Sequence, residues 1–288
     1  MNGPKATPVH ACASTTIADA LTAALVSGVD RLDAQLMLAH LLLQPRSWLI
    51  AHDDTALSDM QSIQYAQWLE RRRAGEPLAY LLGQTEFCGL VLQVGPQVLI
   101  PRPETELLVD WGLAVLRDRL PSKGTASVVD LGCGSGAIAL AIRHRCPAAT
   151  VTAVDASAPA LEIARRNAKS LGLPITLARG DWWSAVAGER FHLALSNPPY
   201  IALGDPHLAA LHHEPRSALV ASEHGLSDLY RLIDGAPASL HPGGWLLLEH
   251  GHDQGAPVRQ RLQQVGFREV ETRCDLAGLE RCTGARFG

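Results

Sequence analysis

The sequence predicts an α/β protein: a mostly parallel sheet of seven strands, covered by helices on both faces and preceded by a small helical domain. Three observations carry this. From residue 127 onward, short apolar β-type runs alternate with segments of helical periodicity, the pattern of strands joined by crossover helices. The first strand enters a glycine turn, Gly132-Cys133-Gly134-Ser135-Gly136, that opens the next helix. The fourth ends in Asn197-Pro198-Pro199-Tyr200, a stiff turn carrying a polar amide and a phenol ring.

Taken in order, residues 1–16 are polar, with small residues and two prolines, and are expected to be disordered. Residues 17–75 read as helical. Leu32, Leu36, Ala39 and Leu43 recur at the spacing of one face of an amphipathic helix. Ser58 and Gln61 form a capping box ahead of a helix bearing Met60, Ile63, Ala66 and Leu69, and Gly75 supplies a stop. This gives a helical domain over 17–85. Residues 76–100 read as β-rich, with a hairpin at 87–94 inside a linker over 86–105. Pro101-Arg102-Pro103 interrupts it, and residues 104–120 return to helix. Pro121-Ser122-Lys123-Gly124 leads into the strands of a domain bounded at 106–288. Those strands are expected at 127–131, 150–155, 175–179, 191–196, 244–250, 267–272 and 279–287. Helices are expected near 137–145, 157–171, 227–239 and 254–265.

Composition narrows the class. The chain has 288 residues, 47% of them hydrophobic, enough for one large or two medium domains with a real core. Its six cysteines, Cys12, Cys88, Cys133, Cys146, Cys274 and Cys282, include no C-x-x-C pair, which argues against zinc and a disulfide framework. The histidines at 212–213 and 250–252 lack metal-ligand spacing, so no metal is expected. No signal peptide or membrane-length apolar run is visible, and a soluble cytoplasmic protein is expected. Residues 1–90 hold six Lys/Arg against nine Asp/Glu, and the remainder nineteen against twenty. Neither half has the basic footprint of a duplex nucleic-acid binder. The one basic cluster, Arg71-Arg72-Arg73, reads as a solvated helix end or as a contact for an acidic or RNA-bound partner.

The glycine turn follows Val128-Val129-Asp130-Leu131 and precedes a helical pattern, so backbone N–H groups at the helix start can meet a ligand closely. The second strand ends at Asp155, whose carboxylate can accept both hydroxyls of a ribose. A nucleoside site at the carboxyl ends of parallel strands follows. Gly132, Gly134 and Ala137 also satisfy the G-x-G-x-x-A dinucleotide fingerprint, so a nicotinamide oxidoreductase has to be weighed. Asp130 just before the turn and the third glycine, Gly136, favour S-adenosylmethionine instead. Asp130 is expected to bond backbone N–H groups of the glycine loop, or the ligand's amino group through water. At the fourth strand, the two prolines fix the turn and remove donors. Asn197 offers both a donor and an acceptor, and Tyr200 a ring for stacking. That cradle suits a flat group bearing an NH2. Ser135 has no His/Asp pairing that would make it a nucleophile.

Asp130-Leu131-Gly132-Cys133-Gly134-Ser135-Gly136, Asp155 and Asn197-Pro198-Pro199-Tyr200 resemble Rossmann-like, class I S-adenosylmethionine methyltransferases that act on amino nitrogen. Four further stretches sharpen the resemblance: Glu76-Pro77-Leu78-Ala79-Tyr80-Leu81-Leu82-Gly83 with Glu86-Phe87; Leu99-Ile100-Pro101-Arg102-Pro103-Glu104-Thr105-Glu106; Glu214-Pro215 with Ala218-Leu219-Val220; and Leu247-Leu248-Glu249-His250-Gly251. Over residues 30–287 the sequence resembles the HemK/PrmC family, the peptide chain release factor N5-glutamine methyltransferases. The resemblance implies S-adenosyl-L-methionine as methyl donor and S-adenosyl-L-homocysteine as product. It implies that Gly132, Cys133, Gly134, Ser135 and Gly136 line the methionine and ribose, with Asp155 on the ribose hydroxyls, Trp182 at the adenine and Asn197 beside the donor. Asn197, Pro198, Pro199 and Tyr200 would hold the acceptor amide, with Asn197, Pro198 and Tyr200 at the chemistry. Arg102 and Glu106 would border the acceptor or form a salt bridge. The partner implied is a release factor, gripped by the helical domain, and a monomeric enzyme is expected. A final hairpin would add one antiparallel strand. An adenine N6 or other nucleic-acid amino methyltransferase shares the Asn-Pro-Pro-Tyr turn but should carry a basic face. A non-catalytic cofactor-binding regulator would need no acceptor cradle.

Overall fold

The computed structural model describes residues 15–118 and 125–288. Residues 1–14 of the expected disordered start, and the lead at 121–124, lie outside them. Thr16 does not belong to such a start: it caps the first helix, its hydroxyl taking the Asp19 N–H while the Asp19 carboxylate takes the Thr16 N–H. The chain divides into two compact units, one ending at Leu82 and one running from Gly83 to Gly288.

The first unit is helical: α1 (Ile17–Val26), α2 (Arg31–Leu42), α3 (Arg46–Ala51), α4 (Asp59–Arg73) and α5 (Leu78–Leu82). The capping box at Ser58 and Gln61 forms, and Gly75 follows α4 with a φ of 91°, the left-handed geometry of a helix stop. The expected apolar stripes are corrected. In α2 the buried apolar face is Ala34, Met37, Leu38 and Ala39, so of the expected stripe Ala39 lies inside while Leu32 and Leu43 are exposed. In α4 the buried side chain is Tyr65, whose hydroxyl donates to the Ala34 carbonyl at 3.2 Å, while Met60 and Ile63 are exposed. Apolar residues surround α2 on nearly every side, so periodicity there could not choose the face; packing against its neighbours did. Of the arginine cluster, Arg71 pairs with Glu76 and Arg72 with Asp33.

The second unit opens on a hairpin, β1 (Gln84–Phe87) and β2 (Leu90–Gln93), paired from Gln84↔Gln93 to Phe87↔Leu90. The expectation of β structure from residue 76 and of a hairpin within 87–94 is corrected. Pro77 and the run Leu78-Ala79-Tyr80-Leu81-Leu82 start a helix. Cys88 and Gly89, with φ of 52° and 80°, then make the two-residue turn. A short 3₁₀ turn at Pro103–Thr105 leads into α6 (Glu106–Asp118).

The sheet follows. Its elements are β3 (Ser127–Leu131), α7 (Ala137–Arg145), β4 (Thr150–Asp155), α8 (Ala158–Leu171), β5 (Thr176–Arg179) and β6 (Phe191–Ser196). After two short paired strands, β7 (Ile201–Ala202) and β8 (Val220–Ala221), come the single turn α9 (Ser222–Gly225), α10 (Ser227–Ser239), β9 (Leu240–Glu249), α11 (Gly255–Val265), β10 (Arg268–Cys274) and β11 (Glu280–Arg286). The seven strands lie in the order β10-β11-β9-β6-β3-β4-β5, and β11 alone runs antiparallel to its neighbours. Each inner strand splits its side chains between two cores, as the two-residue pleat requires. Val128, Leu193, Leu195 and Leu247 pack with α6, α7 and α8; Val129, Leu131, Ala194, Leu246 and Leu248 pack with α10 and α11. The chain leaves β3 for β4 and β5 on one side and returns as β6 on the other. That reversal of strand order opens a crevice beyond Leu131, Asp155 and Ser196.

Candidate active site

The glycine turn sits in that crevice. Gly132, Gly134 and Gly136 have φ of 77°, 54° and 82°, a conformation L side chains rarely adopt. Most of the loop's donors are spent inside the protein. The N–H groups of Gly132 and Cys133 donate to the Val154 carbonyl at 2.9 and 2.8 Å, and that of Gly134 to Asp155 Oδ2 at 2.8 Å. A pyrophosphate needs these groups free. Two carboxylates next to the loop oppose it further.

Those carboxylates differ in role. Asp130 is fully buried; Oδ2 accepts the Ala139 N–H at 3.0 Å and Oδ1 has no hydrogen-bond partner. It therefore serves the first turn of α7, whose N-cap Gly136 has no side chain to do so, and not the glycine loop as expected. Burial raises its pKa to about 7, with Asp155 nearby adding to the effect. Asp155 takes the Gly134 N–H on one oxygen and the Ser157 N–H on the other, and burial outweighs these bonds to raise its pKa. Each oxygen keeps a lone pair for a hydroxyl.

A cleft of about 1030 Å³, open mouth included, is lined by Gly132, Cys133, Gly134, Ser135, Asp155, Trp182, Asn197 and Pro199. Gly136 stands behind the lining, at the helix start. Trp182 follows β5 and is held by its indole N–H, which donates to Asp228 at 3.2 Å. An adjoining hollow of about 550 Å³ is lined by Asn197, Pro198 and Tyr200 together with Leu99 and Arg102. Asn197 lines both. Its side-chain Nδ2 donates to Thr105 Oγ1 at 3.1 Å, which leaves Oδ1 to the cavities. The Tyr200 hydroxyl donates to Glu249 at 3.3 Å. Arg102 pairs with the buried Glu214, whose other oxygen accepts the Ile100 N–H at 3.0 Å. Glu106 lies apart and accepts the Cys88 N–H at 2.8 Å.

Sequence reasoning placed Thr105, Glu214 and Glu249 in motifs without giving them tasks. Asp228 was missed altogether. A buried acid within an apolar strand, as in Leu247-Leu248-Glu249, is the signal that was available. Among the described residues, no group of three or more His, Cys, Asp or Glu could hold a metal ion, and no helix is long and apolar enough to cross a membrane.

Fold and cleft together define the class: a Rossmann-like, class I S-adenosylmethionine methyltransferase fold. Residues 106–218 match the family model Methyltransferase small domain, and residues 14–83 the PrmC N-terminal domain. A methyltransferase from Pyrococcus furiosus shares the fold with a TM-score of 0.54 at 18% identity, covering 76% of this chain and 99% of that one. The hMettl16 catalytic domain does so with a TM-score of 0.56 at 14% identity, over 80% and 83%. The release factor glutamine methyltransferase of Bordetella pertussis is 47% identical over 89% of this chain and 95% of its own length. That of Escherichia coli is 42% identical over 93% and 96%. This chain belongs to the release factor glutamine methyltransferase family.

Proposed function

We propose that this enzyme transfers a methyl group from S-adenosyl-L-methionine to the side-chain amide nitrogen, N5, of the glutamine in the Gly-Gly-Gln motif of peptide chain release factors, leaving S-adenosyl-L-homocysteine. One observation supports it above others: Asn197 lines both the glycine-loop cleft and the hollow formed with Pro198 and Tyr200. A donor and a planar amide can thus meet at one side chain.

The cleft fits the donor. Most of its loop N–H groups are committed, so it offers no phosphate nest, while Asp155 suits a ligand that carries a ribose. When bound, the donor supplies a methyl carbon already activated by its sulfonium. What remains is to position a carboxamide nitrogen whose lone pair is delocalised into its carbonyl. Asn197 Oδ1 and the Pro198 carbonyl each accept one N–H of the glutamine amide, which turns the nitrogen to the donor and favours the charge developing on it. Tyr200 stacks on the amide plane. Gly132, Cys133, Gly134 and Ser135 line the methionine and ribose, Asp155 holds the ribose hydroxyls, and Trp182 borders the adenine. The helical unit grips the release factor. The enzyme works as a monomer in the cytoplasm and without duplex nucleic acid.

Incubation with labelled S-adenosylmethionine and either purified release factors or nucleic acid, followed by mass spectrometry, tests this. Label on the Gly-Gly-Gln glutamine is expected; label on a base overturns it.

A further inference from the structure

Glu249 ends β9 behind the Asn-Pro-Pro-Tyr turn, and the chemistry above gives it no task. Its side chain is buried, where a carboxyl is costly unless fully paired. Oε1 accepts the Tyr200 hydroxyl at 3.3 Å. Thr105 adds a looser hydroxyl contact that favours the ionised form, while Oε2 keeps no close hydrogen-bond partner. Thr105 Oγ1 in turn accepts the Asn197 amide N–H at 3.1 Å. Asn197 donates to Thr105 and Tyr200 to the carboxyl, and the Thr105 hydroxyl turns toward that carboxyl when it is ionised. An ionised carboxyl only accepts, so it sets that direction. With the Thr105 hydroxyl turned toward Glu249, Thr105 Oγ1 takes the Asn197 N–H, and Asn197 Oδ1 is left to face the acceptor.

We propose that Glu249 is a positioning residue for the transfer: its buried carboxylate, acting through Thr105 and Tyr200, holds the Asn197 oxygen and the Tyr200 ring in the orientation that receives the acceptor amide. This rests on the functional reading above. A protonated Glu249 donates to Thr105, Thr105 then donates to Asn197 Oδ1, and the amide turns its NH2 toward an acceptor that also presents N–H groups. The titratable and charged groups around Glu249 are Tyr200, Arg281, Glu104 and Cys282. Arg281 favours its ionised form and Glu104 opposes it. Burial dominates and places the transition at about 7.

The test compares the full-length wild type with Glu249→Gln, Thr105→Val and Thr105→Ser. It measures methylation of a release factor, S-adenosylmethionine affinity by calorimetry, and thermal midpoint. Glutamine keeps the shape but presents an NH2 that reverses one of the two donations. For Glu249→Gln we expect kcat to fall ~10-fold or more. Donor affinity should be unchanged and the thermal midpoint equal or higher, since a buried charge has been removed. Thr105→Val should lose kcat likewise, and Thr105→Ser should recover it. Wild-type kcat should decline below pH about 7, while the residual kcat of Glu249→Gln stays flat through that range. Wild-type kcat in Glu249→Gln overturns the inference alone. So does a loss matched by falls in donor affinity and thermal midpoint, the mark of a purely structural role. An unlabelled release factor in the wild-type arm overturns the functional reading and this inference with it.

Discussion

Gly132 lies against the ring of Trp182: a Cβ at position 132 would stand 2.9 Å from Trp182 Cζ3. The ring cannot easily yield, because its indole N–H is bonded to Asp228 at 3.2 Å. The glycine also has a φ of 77°. Gly132→Ala therefore strains the backbone by ~1–2 kcal/mol and pushes the ring that borders the proposed adenine site. Calorimetry should show donor affinity reduced at least ~10-fold, the equivalent of about 1.4 kcal/mol. An unchanged affinity would place the adenine elsewhere.

Asn197→Ala removes the polar side chain shared by the two cavities. Its side chain is tied to the fold through Thr105 and otherwise faces the cavities, so the fold should survive. Turnover should drop ~100-fold or more, as the loss of one positioned polar group can cause, with donor affinity retained. Single-turnover kinetics checks this; near-normal turnover removes Asn197 from the proposed chemistry.

Much of this was legible in the sequence, and the exceptions share a cause. β3, β4 and β6 were bounded to the residue because each is a short, largely apolar run that stops at Gly132, at Asp155 or at Asn197-Pro198. Asn197 and Asp155 stood out because strand ends in a parallel sheet face the crevice. The inner face of α2 was read correctly only at Ala39, since a helix with apolar residues nearly all round carries no usable period. The start of β1 was misread because the run from Leu78 to Leu82 suits either helix or strand. Asp228 and the task of Glu249 depend on contacts across 46 and 49 residues, which no local pattern reports.

Gly284 shows packing that a motif search passes over. A Cβ there would lie 2.4 Å from Leu247 Cδ2 and 2.7 Å from Trp111 Cη2. Trp111 is buried, with the Arg273 guanidinium 4.4 Å from its ring centroid. Neither side of the contact can move without disturbing the α6 face of the sheet. Gly284→Ala should cost ~1–3 kcal/mol, the usual penalty for overpacking a core. Denaturant titration should show a lower midpoint at an unchanged slope.

Asp130 makes a prediction about pH. Its folded-state pKa is raised to about 7 from 3.8, chiefly by burial. The folded protein therefore holds this proton more tightly than the unfolded chain. The stability it contributes is fully present below the unfolded pKa of 3.8 and is lost as pH rises through about 7. Glu249, raised from 4.5 to about 7, acts in the same sense, whereas Asp19 and Asp275, with lowered values, act in the opposite one. The total slope thus mixes signs, and the informative quantity is a difference between variants. Asp130→Asn keeps an oxygen for the Ala139 N–H and removes the titration. The thermal midpoint of Asp130→Asn relative to wild type should rise between pH 5 and pH 8. A difference that stays constant over that range would mean that Asp130 is already ionised at the acid end.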